Sequence, residues 1–185
     1  MKLRHIHIKR LFRLFKEDWK RVHCVFLVKY LYGDIWRLRE ICATTHNPKY
    51  INLYQAYMDY HCASINYEAK IDGVPTFPHG ILGVFVSRYA HIGKGCVIFQ
   101  HVTIGSNTLK DSNMRGAAVI GDGVMLGAGA MIIGAVKIGD NARIGAGCVV
   151  VKDVPSNTTV VSAVNRMIVH DRELDNTFTG QIKQR

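Results

Sequence analysis

Nine of the 185 residues are histidine, the side chain best suited to moving a proton near neutral pH. A histidine within reach of a nucleophile can take its proton as a general base. His79 stands in the turn-like segment Pro78-His79-Gly80, and His101 occupies the fourth place of the six-residue unit IFQHVT, where it is expected to face outward. His91 directly precedes such a unit and reads as a surface or corner residue. The five cysteines, at 24, 42, 62, 96 and 148, are odd in number and irregularly spaced. They suggest neither a disulfide framework nor a CxxC metal site, and no metal is expected; as reduced thiols they would pack as small apolar residues.

These residues must be positioned by a repeat. From residue 92 the sequence runs IGKGCV, IFQHVT, then IG and an interruption, then IGDGVM, LGAGAM, IIGAVK, IGDNAR, IGAGCV and VVKDVP. The aliphatic position recurs at Ile92, Ile98, Ile104, Ile120, Leu126, Ile132, Ile138, Ile144 and Val150. A period of six signals a parallel β-helix in which each unit is one short strand plus a turn, and stacked units bury the aliphatic column. Twelve of the 17 glycines lie between 93 and 147, where turns need permissive φ or leave no room for a side chain. Less regular units precede the run: INYEAK at 65–70, IDGVPT at 71–76 and FPHGIL at 77–82. The polar segment SNTLKDSNMRGA cannot join the apolar column, so residues 105–118 are expected to leave it as a loop.

Upstream the period changes. Leu11, Phe12, Phe15, Trp19 and Val22 have the three-and-four spacing of an amphipathic helix, with Gly33 and His46-Asn47-Pro48 as boundaries and a further helix over 50–60. The reading is therefore an α-helical segment over 1–63, a β-helix over 64–169 and a polar tail over 170–185. Residues 1–60 hold 12 Lys and Arg against 5 Asp and Glu, so most of the net charge of +10 is N-terminal. A solvated helix face accounts for it, with weak peripheral contact to an anionic membrane as the alternative; no nucleic-acid-binding signature accompanies the charge. No apolar run reaches the roughly 18 residues of a membrane span, and no signal peptide is visible, so a cytoplasmic protein is expected. An apolar share of 48% and a charged share of 21% exclude disordered and collagen-like chains.

The hexapeptide run, LGAGAM, IGAGCVVVKDVP and the helical N-terminal extension together resemble the left-handed β-helix acyltransferases. The match is to the serine acetyltransferase-like branch, which includes acetyltransferases acting on capsular and other cell-surface sugars. The resemblance implies a mainly β, left-handed parallel β-helix, homotrimers with acetyl-CoA in the groove between neighbouring helices, and direct acetyl transfer without a covalent enzyme intermediate. It puts the catalytic base at His79; His101, outward-facing by its place in the six-residue unit, is the other base to weigh. It puts acetyl-CoA against Gly105, Ser106, Ala128, Ala146, Lys152 and Arg166: small residues beside the pantetheine and basic groups beside the phosphates. Arg166 falls where the family carries the arginine of its terminal turn, although SAVNR lacks that turn's Gly and Pro. With three units per coil, His61 would stack one coil below His79. His79, His91 and His101, at intervals of 12 and 10, would not converge as three zinc ligands must.

Departures from the family bear on the acceptor. The aspartate that orients the catalytic imidazole is replaced by Ser64, the acidic neighbour of the base by Pro78, and a substrate-holding histidine by about Ala117. A serine hydroxyl cannot stabilise an imidazolium as a carboxylate does. These changes shift the expected acceptor to a hydroxyl of a sugar or cell-surface polysaccharide precursor. Serine O-acetylation for cysteine biosynthesis and a catalytically inactive β-helix scaffold are the alternatives.

Overall fold

The structure, a computed structural model, describes residues 23–163. The amphipathic stretch up to Val22, Arg166 and the tail over 170–185 lie outside the described residues. Residues 23–32 are helical and lead past Gly33 (φ +82°) into α1 (Ile35–Thr45) and α2 (Pro48–Tyr60). The sequence caps both helices: Asp34 accepts from the Arg37 N–H, and Asn47 accepts from the Lys49 N–H, with Pro48 at the first helical position.

The remainder is a left-handed parallel β-helix. Its first sheet stacks β1 (Ser64–Ile65), β3 (Phe85–Val86), β6 (Thr103–Asn107), β10 (Met131–Ile133) and β13 (Val149–Val150). The second stacks β2 (Lys70–Ile71), β4 (His91–Ile92), β8 (Val119–Ile120) and β11 (Lys137–Ile138). The third stacks β5 (Val97–Ile98), β9 (Met125–Leu126), β12 (Arg143–Ile144) and β14 (Thr159–Val160). The chain visits the sheets in rotation, so the molecule is a three-sided prism. From Ile92 to Ile144 every aliphatic residue of the repeat is at most 2% exposed, and Val150 is 5% exposed. One fully buried aliphatic per six residues, repeated along an axis, gives each coil the same hydrophobic stabilisation and makes the core a column.

The register departs from a strict 18-residue coil at three places, each at a corner. Ser64 pairs with Phe85, 21 residues on, whereas Phe85 pairs with Thr103, 18 on. The three extra residues fall after Thr76, which still pairs with Val97, and before Phe85. FPHGIL is thus no complete unit: the column passes from Phe77 to Val86 of β3, nine residues on, and the corner containing His79 bulges between them, with Ile81 and Val84 buried inside it. Between Thr103 and Met131 the coil grows to 28. Between Ile138 and Val154 it shrinks to 16, so VVKDVP is likewise no full unit.

The segment 105–118 is more ordered than a loop. Its base is a two-stranded ribbon, with Ser106 and Asn107 of β6 paired antiparallel to Ala117 and Gly116 of β7 (Gly116–Ala117), and 108–115 forms the turn between them. Met114 explains the difference: its carbonyl accepts from the Ala135 N–H and its side chain packs on the core, which pins the arm back to the prism.

In the first coil each strand N–H donates to the coil above, as from Ser64 to Val84 and from Lys70 to Ala90, which leaves first-coil carbonyls with no coil beneath. The helices supply the donors. Tyr54 Oη donates to the Ile65 carbonyl at 2.7 Å, and Arg39 Nη2 donates to the Ala69 carbonyl. Both side chains are almost fully buried, so these bonds replace water that could not reach the carbonyls. Burial holds the Tyr54 hydroxyl well above the usual tyrosine range.

Candidate functional site

The corner between the third and first sheets carries most of the expected chemistry. Along it the backbone stacks as a ladder: the His101 N–H donates to the Leu82 carbonyl, the Gly129 N–H to Gln100, and the Gly147 N–H to Ala128. Ala128, Ala146 and His101 therefore lie on one edge of the prism, and the bulge with His79 opens that edge at its lower end. His79 and His101 are exposed, as an attacking hydroxyl would require. The His79 ring leans on Phe99, with centroids 5.8 Å apart, and Phe99 lies two residues before His101.

His101 is held tightly. It adopts left-handed backbone at φ +60°, and its ring fills the place of the missing side chain on Gly83, where a Cβ would stand 2.1 Å from Nδ1. Its neighbour Gln100 buries Oε1 with no hydrogen-bond partner, an acceptor left over at the same corner. Spacing alone did not single out Phe99, Gly83 or Gln100. The available signal was Gly83 itself, a glycine where the six-residue period calls for an aliphatic residue.

Gly105 and Ser106 stand elsewhere, at the corner between the first and second sheets, where Ser106 Oγ lies 3.1 Å from Ser87 Oγ. A Cβ on Gly105 would stand 2.8 Å from Ile133 Cδ1, so the packing of the next coil already calls for glycine. Lys152 lies on this same edge, exposed, in the shortened last corner, and the arm 108–115 springs from it. The expected acetyl-CoA residues thus divide between the two edges that flank the first sheet.

Neither His79 nor His101 has a carboxylate partner among the described residues. An Asp–His pair does exist, on the second sheet: His91 Nε2 lies 2.6 Å from Asp72 Oδ2, and this hydrogen bond holds the Asp72 carboxyl below the usual carboxylate range. Lys70 adds a weaker contact at 3.8 Å. In a three-sided prism the second sheet faces away from the corner of His79, so this pair cannot orient the His79 imidazole. His79, His91 and His101 accordingly do not converge. His61 does not stack below His79 either, because the coil there is 21 residues long. It caps α2, its ring 4.6 Å from that of Tyr57, with Nε2 buried and unpartnered and its basicity lowered by burial. Ser64 opens β1 in the bottom coil, and Ala117 sits at the base of the arm opposite Ser106.

Residues 117–152 match the family model described as bacterial transferase hexapeptide (six repeats). The chain is 46% identical over 90 residues to the serine acetyltransferase of Synechococcus elongatus, an overlap of 49% of this chain and 36% of that one. The soybean serine acetyltransferase apoenzyme superposes with a TM-score of 0.60 at 34% identity, covering 72% of this chain and 54% of that one. The Neisseria gonorrhoeae serine acetyltransferase in complex with serine gives a TM-score of 0.59 at 31% identity, covering 70% and 53%. The chain spans about a quarter to a half of the length of the curated relatives it matches.

Proposed function

We propose that this β-helix, which resembles the serine acetyltransferases over about half of their length, transfers acetyl from acetyl-CoA to an acceptor hydroxyl, with L-serine as the first acceptor to test. The observation that carries this reading is the edge on which an exposed histidine on a bulged turn adjoins a column of small residues. His79 takes the proton of the attacking hydroxyl, the hydroxyl oxygen forms the ester bond at the thioester carbon, and the C–S bond breaks to release CoA, whose thiolate takes up a proton. Ala128 and Ala146 leave the backbone open to an extended pantetheine, and Lys152, with Arg166 beyond the described residues, supplies positive charge for phosphates.

A trimer completes this reading. The outer ladder of the first sheet runs Phe85, Thr103, Met131, Val149, and its three apolar members are 49%, 44% and 64% exposed. An apolar stripe of this kind, interrupted by Thr103, suits a contact surface. Packing of copies around a threefold axis would bring the His79 edge of one beside the Gly105 edge of the next, uniting residues that one chain keeps apart. The cytoplasmic setting belongs to the same proposal.

The relatives' names favour L-serine over the sugar hydroxyl expected from Ser64, Pro78 and Ala117, and lend nothing to a polysaccharide precursor. A thiol-reagent assay of CoA release, with L-serine and a panel of sugars as acceptors, decides between them. Release with serine that vanishes in His79→Ala supports the proposal. Release with sugars alone restores the expectation from sequence. A protein that binds no acetyl-CoA and releases none is a scaffold, and the proposal fails.

A further inference from the structure

The helix over 23–32 is apolar on two opposite sides. Cys24 and Val28 are buried against the molecule, while Phe26 and Tyr30, two positions and so about 200° away, are 61% and 76% exposed. A globular helix has one apolar stripe; a second stripe facing water calls for a partner. The two rings stack on each other, centroids 5.8 Å apart and nearly parallel at 7°, beside Leu31 at 57% exposure and the exposed Lys29. In the sequence the same three-and-four spacing runs back through Trp19, Phe15 and Phe12.

Charge identifies the occupant. Residues 1–33 hold nine Lys and Arg against two Asp and Glu, a net +7 out of the chain's +10. A second copy would bring an equally positive segment against this one, and like charges oppose that contact. Aromatic rings that rest at an apolar boundary, flanked by basic groups that attract anionic headgroups, fit a lipid surface. No helix among the described residues is long and apolar enough to cross a membrane. We propose that the N-terminal helical segment docks the protein on the surface of an anionic membrane through Phe26 and Tyr30, independently of what the β-helix does.

Sedimentation of the full chain with phosphatidylcholine vesicles, with and without about one third phosphatidylglycerol, tests this. The expected result is binding to the anionic vesicles alone and release as salt rises from about 0.05 to about 0.5 M, where screening shortens to a few ångströms. The double variant Phe26→Ser/Tyr30→Ser, altered only at exposed side chains, should lower partitioning at least about tenfold while its circular dichroism is unchanged. Binding to neither vesicle, equal binding to both, or wild-type binding by the double variant would overturn the proposal. So would light scattering in which the double variant loses a lipid-free self-association, because a second copy would then be the occupant.

Discussion

The imidazole of His101 occupies the space that a side chain on Gly83 would need, 2.1 Å from Nδ1 to the would-be Cβ, and Gly83 itself holds φ +65°. One glycine therefore meets two demands, a left-handed turn and a place for the ring above it. Gly83→Ala should destabilise the protein by about 2–5 kcal/mol, the sum of backbone strain and overpacking. In a His101→Ala background the clash is gone and only the strain, about 1–2 kcal/mol, should remain. Denaturant melts of the four proteins in that cycle measure the coupling, and additive effects would show that the ring moves aside freely.

His79→Ala should reduce kcat by about 100-fold or more with acetyl-CoA binding intact, as expected for loss of a general base. His101→Ala, which removes a group packed on the same turn, should lower kcat less. Steady-state kinetics together with calorimetric titration of CoA distinguish the two, and the reverse ranking would make His101 the base.

Tyr54→Phe removes only the hydroxyl that donates to the Ile65 carbonyl, leaving a buried acceptor unpaired. The expected cost is about 1–3 kcal/mol of unfolding free energy in urea, without change in far-ultraviolet dichroism.

Burial at the end of α2 lowers the pKa of His61, so the folded protein disfavours its charged form. The unfolded chain binds that proton more readily. The contribution is fully present above the ordinary histidine value of about 6.5, and it is lost as pH falls through that value towards the folded one. The melting temperature should fall between about pH 7.5 and 5.5, and His61→Phe should flatten that slope. An unchanged slope would place the pH dependence elsewhere.

Replacing 108–113 by a short glycine turn should leave the prism folded, because the ribbon of β6 and β7 closes the arm at its base and Met114, which pins it, is kept. Both Michaelis constants are measured; if neither moves, the arm borders neither acceptor nor acetyl-CoA.

The column was legible because burial repeats: one aliphatic per six residues is a local signal, and Ile92 through Val150 are buried as the period requires. The corners were less so, because a bulge or a shortening changes the count without changing composition. The nine-residue step from Phe77 to Val86 hid inside FPHGIL, and with it the misplacement of His61 and the contact between Gly83 and His101. Gly105 and Ser106 resembled the groove in type, yet they lie across the first sheet from His79, a separation that depends on rotation around the axis and not on spacing along the chain. The Asp72–His91 pair joins residues 19 apart: the 21-residue coil sets His91 opposite Lys70, and Asp72 follows two residues on, an offset that spacing by 18 does not reveal.

The buried bonds of Tyr54 and Arg39 have an effect beyond the energy of two carbonyls. A stack of identical coils has no inherent length, and its bare end is a template on which another chain could continue the ladder. By occupying the first coil's acceptors with side chains from α1 and α2, the protein ends its own lattice at that face. Weakening this cap would thus be felt in bulk as well as in one molecule, as a tendency to grow into filaments from the N-terminal end.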